Sequence, residues 1–181
     1  MKTATENLEN DHVYILCLTD IILEMVEKRS QEIGHFELVI NLIRNFADGL
    51  HHAKEENLLF PLLGEKGFSP EHGPVAVMLN EHTQGRDFVK AALNAIKEFK
   101  NGNQVELETI YENLGNYAFL LQNHISKENN ILFRMADQVF SDEEQQMLLV
   151  QFDEVESNTG VDFNHVNSVQ KINTLAEIYL K

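Results

Sequence analysis

Positions that favour burial recur every three to four residues along nearly the whole chain. Leu8, His12, Ile15, Thr19, Ile22 and Val26 follow that spacing and predict a first helix over 5–28. A break at Ser30–Gly34 follows. Phe36, Ile40, Ile43, Ala47 and Leu50 then carry a second helix through His51 to about Leu63. The stretch "GEKGFSPEHGP", with three Gly and two Pro, is a loop. Val75, Met78, Leu79, His82, Val89, Leu93 and Ile96 mark a third helix, closed by Asn101–Gly102. A fourth spans Val105 to Met135, with Ile110, Leu114, Tyr117, Leu120, Leu121, His124 and Ile131 on or near one stripe. "SDEE" at Ser141–Glu144 is a capping box that opens a shorter helix to about Glu156. "SNTG" breaks it, and a last helix runs from about Phe163 to Leu180. No segment alternates as a strand does. The expected fold is all-α: an up-down four-helix bundle over residues 1–137, with a helical extension, 138–181, packed on it.

Composition narrows the function. The chain has 181 residues, long enough for one domain with a proper core, and 43% of them are hydrophobic. A net charge of −15 offers no electrostatic footprint for nucleic acid and would be repelled by an anionic membrane surface. No apolar run approaches the roughly 18 residues a membrane helix needs, and the first 25 residues carry Glu6, Glu9, Asp11 and Asp20 without a basic leader. The expected location is the cytoplasm. Cys17, the single cysteine, excludes a disulfide framework and thiolate metal sites, and sits in an apolar run as a core residue.

The chemistry concentrates in "HHAKEENLLF". His51–Glu55 and His52–Glu56 are both chelating pairs at i and i+4, pointing about 100° apart around a helix. A second copy chooses between them. "KEENLLF" at Lys54–Phe60 matches "KENNILF" at Lys127–Phe133 in five of seven positions. This register pairs His51 with His124 and Glu55 with Glu128, and leaves His52 opposite Ile125. "NDH" at Asn10–His12 likewise matches "NEH" at Asn80–His82, so the chain repeats a pair of helices. Composition accounts for the number of His–acid pairs; it does not account for the repeated context. Each half supplies two histidines and one carboxylate. A pseudo-two-fold bundle would gather His12, His51, Glu55, His82, His124 and Glu128. With each carboxylate bridging, two metals would each gain two imidazole nitrogens and two carboxylate oxygens. Such donors suit Fe, Mn or Zn better than Mg or Ca.

The stretches "LENDH", "FADGLHHAKEENLLFPLL", "MLNEHTQGRDFV" and "LLQNHISKENNILFRMAD" resemble the hemerythrin-like family, the HHE cation-binding domains, over about residues 8–137. The resemblance implies an up-down bundle around two iron ions joined by an oxo or hydroxo bridge, with Mn or Zn as possible substitutes. His12 and His51 would serve one iron, His82 and His124 the other, and Glu55 and Glu128 would bridge. Two departures stand out. The oxygen carriers have a second His one turn after the third-helix His, where this chain has Arg86. Their last carboxylate is an Asp at His+5, where this chain has Glu128 at His+4. That pattern resembles the bacterial iron–sulfur repair and nitric-oxide-related members, or the iron-sensing eukaryotic ones. The sequence shows no counterpart of the repair proteins' cysteine domain or of an added sensor domain. Without the extra His, each iron keeps an open position, which suits O₂, nitric oxide or peroxide redox chemistry better than clean reversible carriage. The expected ligand is therefore a small diatomic or peroxide, in sensing, detoxification or storage. A di-iron oxidoreductase or peroxidase, or an iron donor in iron–sulfur repair, is the alternative.

Other residues take expectations too. Ala47 and Gly85 read as close helix packing, with room for a diatomic ligand as the alternative. Tyr14 and Tyr117 read as satisfied core tyrosines. Asp11 and Glu81 are either hydrogen-bond partners of the ligand histidines or solvated acids. Arg86 is expected to pair with Glu81 or Asp87, or to attract an anion. His35, His52, His72 and His165 are expected at the surface.

Overall fold

Thr3 starts the first helix: its hydroxyl accepts from the Glu6 N–H, and the Glu6 carboxylate accepts from the Thr3 N–H. In the computed structural model, which describes residues 2–181, this helix, α1, runs Ala4–Glu27. Helix α2 covers 33–65, and α3 is Pro74–Lys100, entered from Gly73 at φ 81° with Pro74 in its first turn. Helix α4 covers 106–139, ending four residues beyond the expected Met135. Ser141 and Glu144 form the expected capping box of α5, Asp142–Asn158, and Asn164 caps α6, His165–Tyr179. There is no strand among the described residues, and no helix is long and apolar enough to cross a membrane.

Helices α1–α4 form an up-down bundle with two apolar ends. One end joins the C-terminal halves of α1 and α3 (Ile22, Met25, Val89, Ile96) to the N-terminal halves of α2 and α4 (Phe36, Phe46, Ile110, Leu114). The other joins Leu8 and Met78, early in α1 and α3, to Leu59, Phe60, Leu132 and Phe133, late in α2 and α4. Each fully buried Leu or Phe contributes about 1.5–3 kcal/mol. These ends hold the bundle, and a buried polar layer lies between them.

Residues 138–181 lie against this bundle. Leu148 and Phe152 of α5 join the second apolar end, and Gln145 Oε1 accepts from the Ala4 N–H at 2.8 Å. Ile172, Leu175 and Tyr179 of α6 join the first end, where the Tyr179 hydroxyl meets His35 Nδ1 at 2.6 Å. That contact and intermediate burial take His35 away from the expected free surface. Cys17 is half-buried against the same end, and burial pushes its thiol pKa up, as befits a packing residue.

Helices α2 and α4 are not α-helical throughout. Wider π turns occupy Ile43–His52 and Glu55–Leu59 in α2, and Glu128–Leu132 in α4. Pro61 follows the α2 turns, but the matching residue in α4 is Arg134, so proline is not their common cause. Both helices share the His-x-x-Lys-Glu segment, and π turns concentrate where functional side chains must be re-aimed. At Gly49 a Cβ would lie 2.9 Å from the Arg44 carbonyl oxygen, so this π segment requires glycine there.

Candidate metal centre

The polar layer is built from the repeat. His12, His51, Glu55, His82, His124 and Glu128 are each at most 2% exposed and meet at one level of the bundle. His12 Nε2 lies 2.9 Å from His51 Nε2, and His82 Nε2 lies 3.0 Å from His124 Nε2. The carboxylates span the two histidine pairs. Glu55 Oε1 is 3.4 Å from His51 Nε2, while its Oε2 is 3.5 Å from His82 Nε2. Glu128 Oε2 is 3.3 Å from His12 Nε2, while its Oε1 is 3.2 Å from His124 Nε2. Phe133 stacks on His12 and Phe60 on His82, a matched pair in the repeat.

All four oxygens of Glu55 and Glu128 are buried without a hydrogen-bond partner among the described residues. The histidine nitrogens are close enough for charge attraction but out of hydrogen-bond alignment, the geometry of donors converging on shared space. An unsatisfied buried polar atom costs about 1–3 kcal/mol, more when charged. Against a total stability of about 5–15 kcal/mol, four such atoms are a heavy load unless a cation shares them. Imidazole nitrogens and carboxylate oxygens gathered this way fit a cation.

A second ring of contacts aims the donors. Each of the four histidines turns Nε2 inward and binds through Nδ1. Asn129 Oδ1 faces His12 Nδ1 at 2.6 Å, and Glu56 Oε1 faces His82 Nδ1 at 2.7 Å. Asn129 and Glu56 each follow one of the two buried glutamates, Glu128 and Glu55, one in each repeat. Asp11 Oδ2 faces His51 Nδ1 at 3.4 Å, and Glu81 Oε2 faces His124 Nδ1 at 2.9 Å. Asp11 and Glu81 each precede a ligand-type His. Asp11 is 2% exposed and Glu81 largely covered, so both are histidine partners rather than solvated acids. Carboxylates and amides at the far ring nitrogen fix the tautomer and orient the ring toward a metal.

Charge follows this wiring. Burial alone would depress the His51 pKa, but Glu55 and Asp11 push it up to about 9. Burial likewise opposes protonation of His124, and Glu128 and Glu81 push it up to about 10. Burial works to raise the Asp11 pKa, yet hydrogen bonds from His165 and His51 hold it well below the usual carboxylate range. The same balance, set by the His124 charge, keeps Glu128 ionised.

Several expectations need correction. His52 is not a surface residue: it is 5% exposed, and its ring stacks on His82 with centroids 3.8 Å apart. Adjacent histidines do point in different directions, but the site is extended. His51 faces His12 while His52 faces His82. Burial and the nearby His82 hold the His52 pKa well below its ordinary value. His165 is half-buried, its Nε2 3.3 Å from Asp11 Oδ1 and its ring edge-on to Tyr14. Only His72 of the four is exposed as expected. Arg86 pairs with neither Glu81 nor Asp87. Its guanidinium donates to Asp48 Oδ1 at 2.7 and 2.9 Å and to Glu56 Oε1 at 2.7 Å.

Tyr117 is not satisfied either. Its hydroxyl is buried with no partner among the described residues, and burial pushes its pKa far up, so it stays protonated. It lines a cavity of about 240 Å³, together with Val89, Leu93 and Leu121. Gly85 lines it too. A Cβ there would come within 3.4 Å of the Tyr117 ring, so close packing and ligand space coincide at this glycine. The lining includes His82 and His124 but neither His12 nor His51, so the cavity serves one half of the centre.

Lys54 carries no signal of its role in the sequence pattern. It is fully buried, its Nζ bonded to Asn7 Oδ1 at 3.1 Å, Asp11 Oδ2 at 3.0 Å and Glu156 Oε1 at 2.5 Å.

Comparisons with known proteins agree with this geometry. The family described as "Hemerythrin HHE cation binding domain" matches residues 3–136. The chain is similar to the iron-sulfur cluster repair protein YtfE of Pectobacterium atrosepticum, 34% identical over 94 residues, covering 48% of this chain and 40% of that one. The protein of the same name from Cronobacter sakazakii is 35% identical over 92 residues, with the same coverage. That from Escherichia coli K12 (DH10B) is 33% identical over 92 residues. The match thus spans about 40% of the length of these relatives. No solved structure matches the chain significantly.

Proposed function

This chain belongs to the family of hemerythrin HHE cation binding domains, and from that premise we propose that it holds two iron ions and presents them to a small diatomic or peroxide ligand. His12 and His51 would hold one ion and His82 and His124 the other, with Glu55 and Glu128 reaching both pairs. The observation that carries this reading is the set of four buried, unpartnered carboxylate oxygens, each directed at a different histidine. Bound iron would supply Lewis-acid and one-electron redox chemistry. The chain's own residues do the rest. Asn129, Asp11, Glu56 and Glu81 orient the imidazoles through Nδ1. Val89, Leu93 and Leu121 give the cavity beside His82 and His124 an apolar wall. Manganese and zinc suit the same donors. Metal analysis with an optical spectrum of aerobically purified protein tests the reading. Two irons per chain and an oxo-to-iron charge-transfer band support it; one metal or none counts against it.

A second reading is favoured by the relatives' printed name, iron-sulfur cluster repair protein. Here the centre donates iron to damaged clusters. Stoichiometric transfer of iron to an apo-cluster protein supports it, whereas reversible optical cycling with O₂ or nitric oxide supports ligand binding. Rapid peroxide turnover supports an enzyme at the same site.

A further inference from the structure

We infer that the C-terminal helices complete the metal centre. His165, the first residue of α6, is a positioning residue that holds the Asp11 carboxylate against His51 Nδ1, and it acts on the His12/His51 half alone. The inference rests on the dimetal reading above and adds to it a role for residues 138–181. Asp11 is 2% exposed, and both of its oxygens are engaged. Oδ2 accepts from Lys54 Nζ at 3.0 Å and faces His51 Nδ1 at 3.4 Å, while Oδ1 lies 3.3 Å from His165 Nε2. A hydrogen bond of 3.4 Å is near its long limit, so a small rotation of the carboxylate loses it. Lys54 alone would leave Asp11 free to turn about Oδ2; His165 anchors the other oxygen. Lys54 is itself held from α5, by Glu156 Oε1 at 2.5 Å and by the Phe152 ring, 5.6 Å from Nζ to its centroid.

The bundle fixes where His165 stands. Its ring is edge-on to Tyr14 of α1 and Phe46 of α2, with centroids 5.8 and 5.6 Å away. Asn164 caps α6 just before it, its side chain accepting from the Asn167 N–H at 2.9 Å. A positive charge at a helix N-terminus opposes the macrodipole, so His165 finds its electrostatic partner in Asp11 and not in α6. The repeat supplies the comparison. Glu81, the counterpart of Asp11, is bonded to His124 and Lys127, both of α4, and Lys127 is 37% exposed. The half that α5 and α6 reach is the one that does not border the cavity.

Titration of the full-length apoprotein with Co(II), followed by its d–d absorption, tests the assignment. The wild type is expected to bind two Co(II), and the band missing in His12→Ala identifies the His12/His51 position. His165→Phe keeps a ring between Tyr14 and Phe46 but has no nitrogen for Asp11. It is expected to shift that same band and to weaken that ion about tenfold, the low end of what lost supporting contacts cost, leaving the other ion unchanged. His165→Gln, whose amide N–H can donate to Asp11, is expected to restore both band and affinity. Three results would each overturn the assignment while sparing the dimetal reading: unchanged Co(II) binding and spectrum in His165→Phe, equal changes at both positions, or no recovery in His165→Gln. A wild type that takes up fewer than two Co(II) overturns both. If circular dichroism shows that His165→Phe has lost its helices, His165→Ala, which adds no bulk there, is read by the same criteria.

Discussion

Lys54 Nζ sits 3.0 Å from Asp11 Oδ2, with both side chains sealed from solvent. In the second repeat, Lys127 pairs with Glu81 but is 37% exposed. Breaking a buried pair leaves an uncompensated charge, at a cost of about 3–5 kcal/mol; an exposed pair is worth about 1 kcal/mol or less. Lys54→Met is therefore expected to destabilise the protein severely, and Lys127→Met hardly at all. Urea unfolding of both variants measures this directly. Similar losses in the two would mean that burial does not set the difference.

The Tyr117 hydroxyl is buried and unpartnered, so removing it should stabilise the protein. Tyr117→Phe is expected to gain about 1 kcal/mol and to retain its metal, since the ring stays against Gly85. Thermal unfolding and metal analysis are the two measurements. A loss of stability would show that the hydroxyl already has a partner.

The internal repeat makes the six central residues legible in the sequence. His51 and Glu55 separate from His52 and Glu56 because only the first pair has a counterpart at His124 and Glu128. The same logic misplaces His52. It assumes one face per site, whereas the centre is wide enough for adjacent histidines to address different halves. Lys54 and Lys127 occupy matching positions in matching motifs; Lys54 alone meets Glu156 and Phe152 of α5, which belongs to no repeat. The π turns carry no sequence mark either, because Pro61 follows one and Arg134 the other.

The pKa values of His51 and His124 are raised, to about 9 and about 10, by the carboxylates that face them. A histidine raised above its unfolded value of about 6.5 contributes stability that is full below that pH. The contribution is lost as the pH climbs through the folded value. The apoprotein should therefore lose thermal stability between about pH 7 and 10, and the metal-loaded protein should lose less. Metal must also displace both protons, so uptake at pH 7 should release about two protons per chain and tighten as the pH rises. Melting curves across pH and proton counting in weak buffer check the two statements. Uptake without proton release would contradict the assigned protonation.

Glu55 and Glu128 each touch both histidine pairs through separate oxygens, while each histidine touches its own pair and one oxygen of a carboxylate. The two residue types should therefore fail differently. Glu128→Ala removes a donor from both positions at once and is expected to weaken both metals, by about 100-fold or more given what the loss of mere supporting contacts costs. His12→Ala removes a donor from one position, so one metal should remain bound near its original affinity. Both variants lose a buried polar group, and Glu128→Ala also removes two unpartnered oxygens. Its apoprotein should consequently fold at least as stably as that of His12→Ala. Metal counting by plasma emission after dialysis, with circular dichroism to confirm the fold, separates the cases. If Glu128→Ala still retained one metal at full affinity, the carboxylate would belong to a single ion and the bridged arrangement would be wrong.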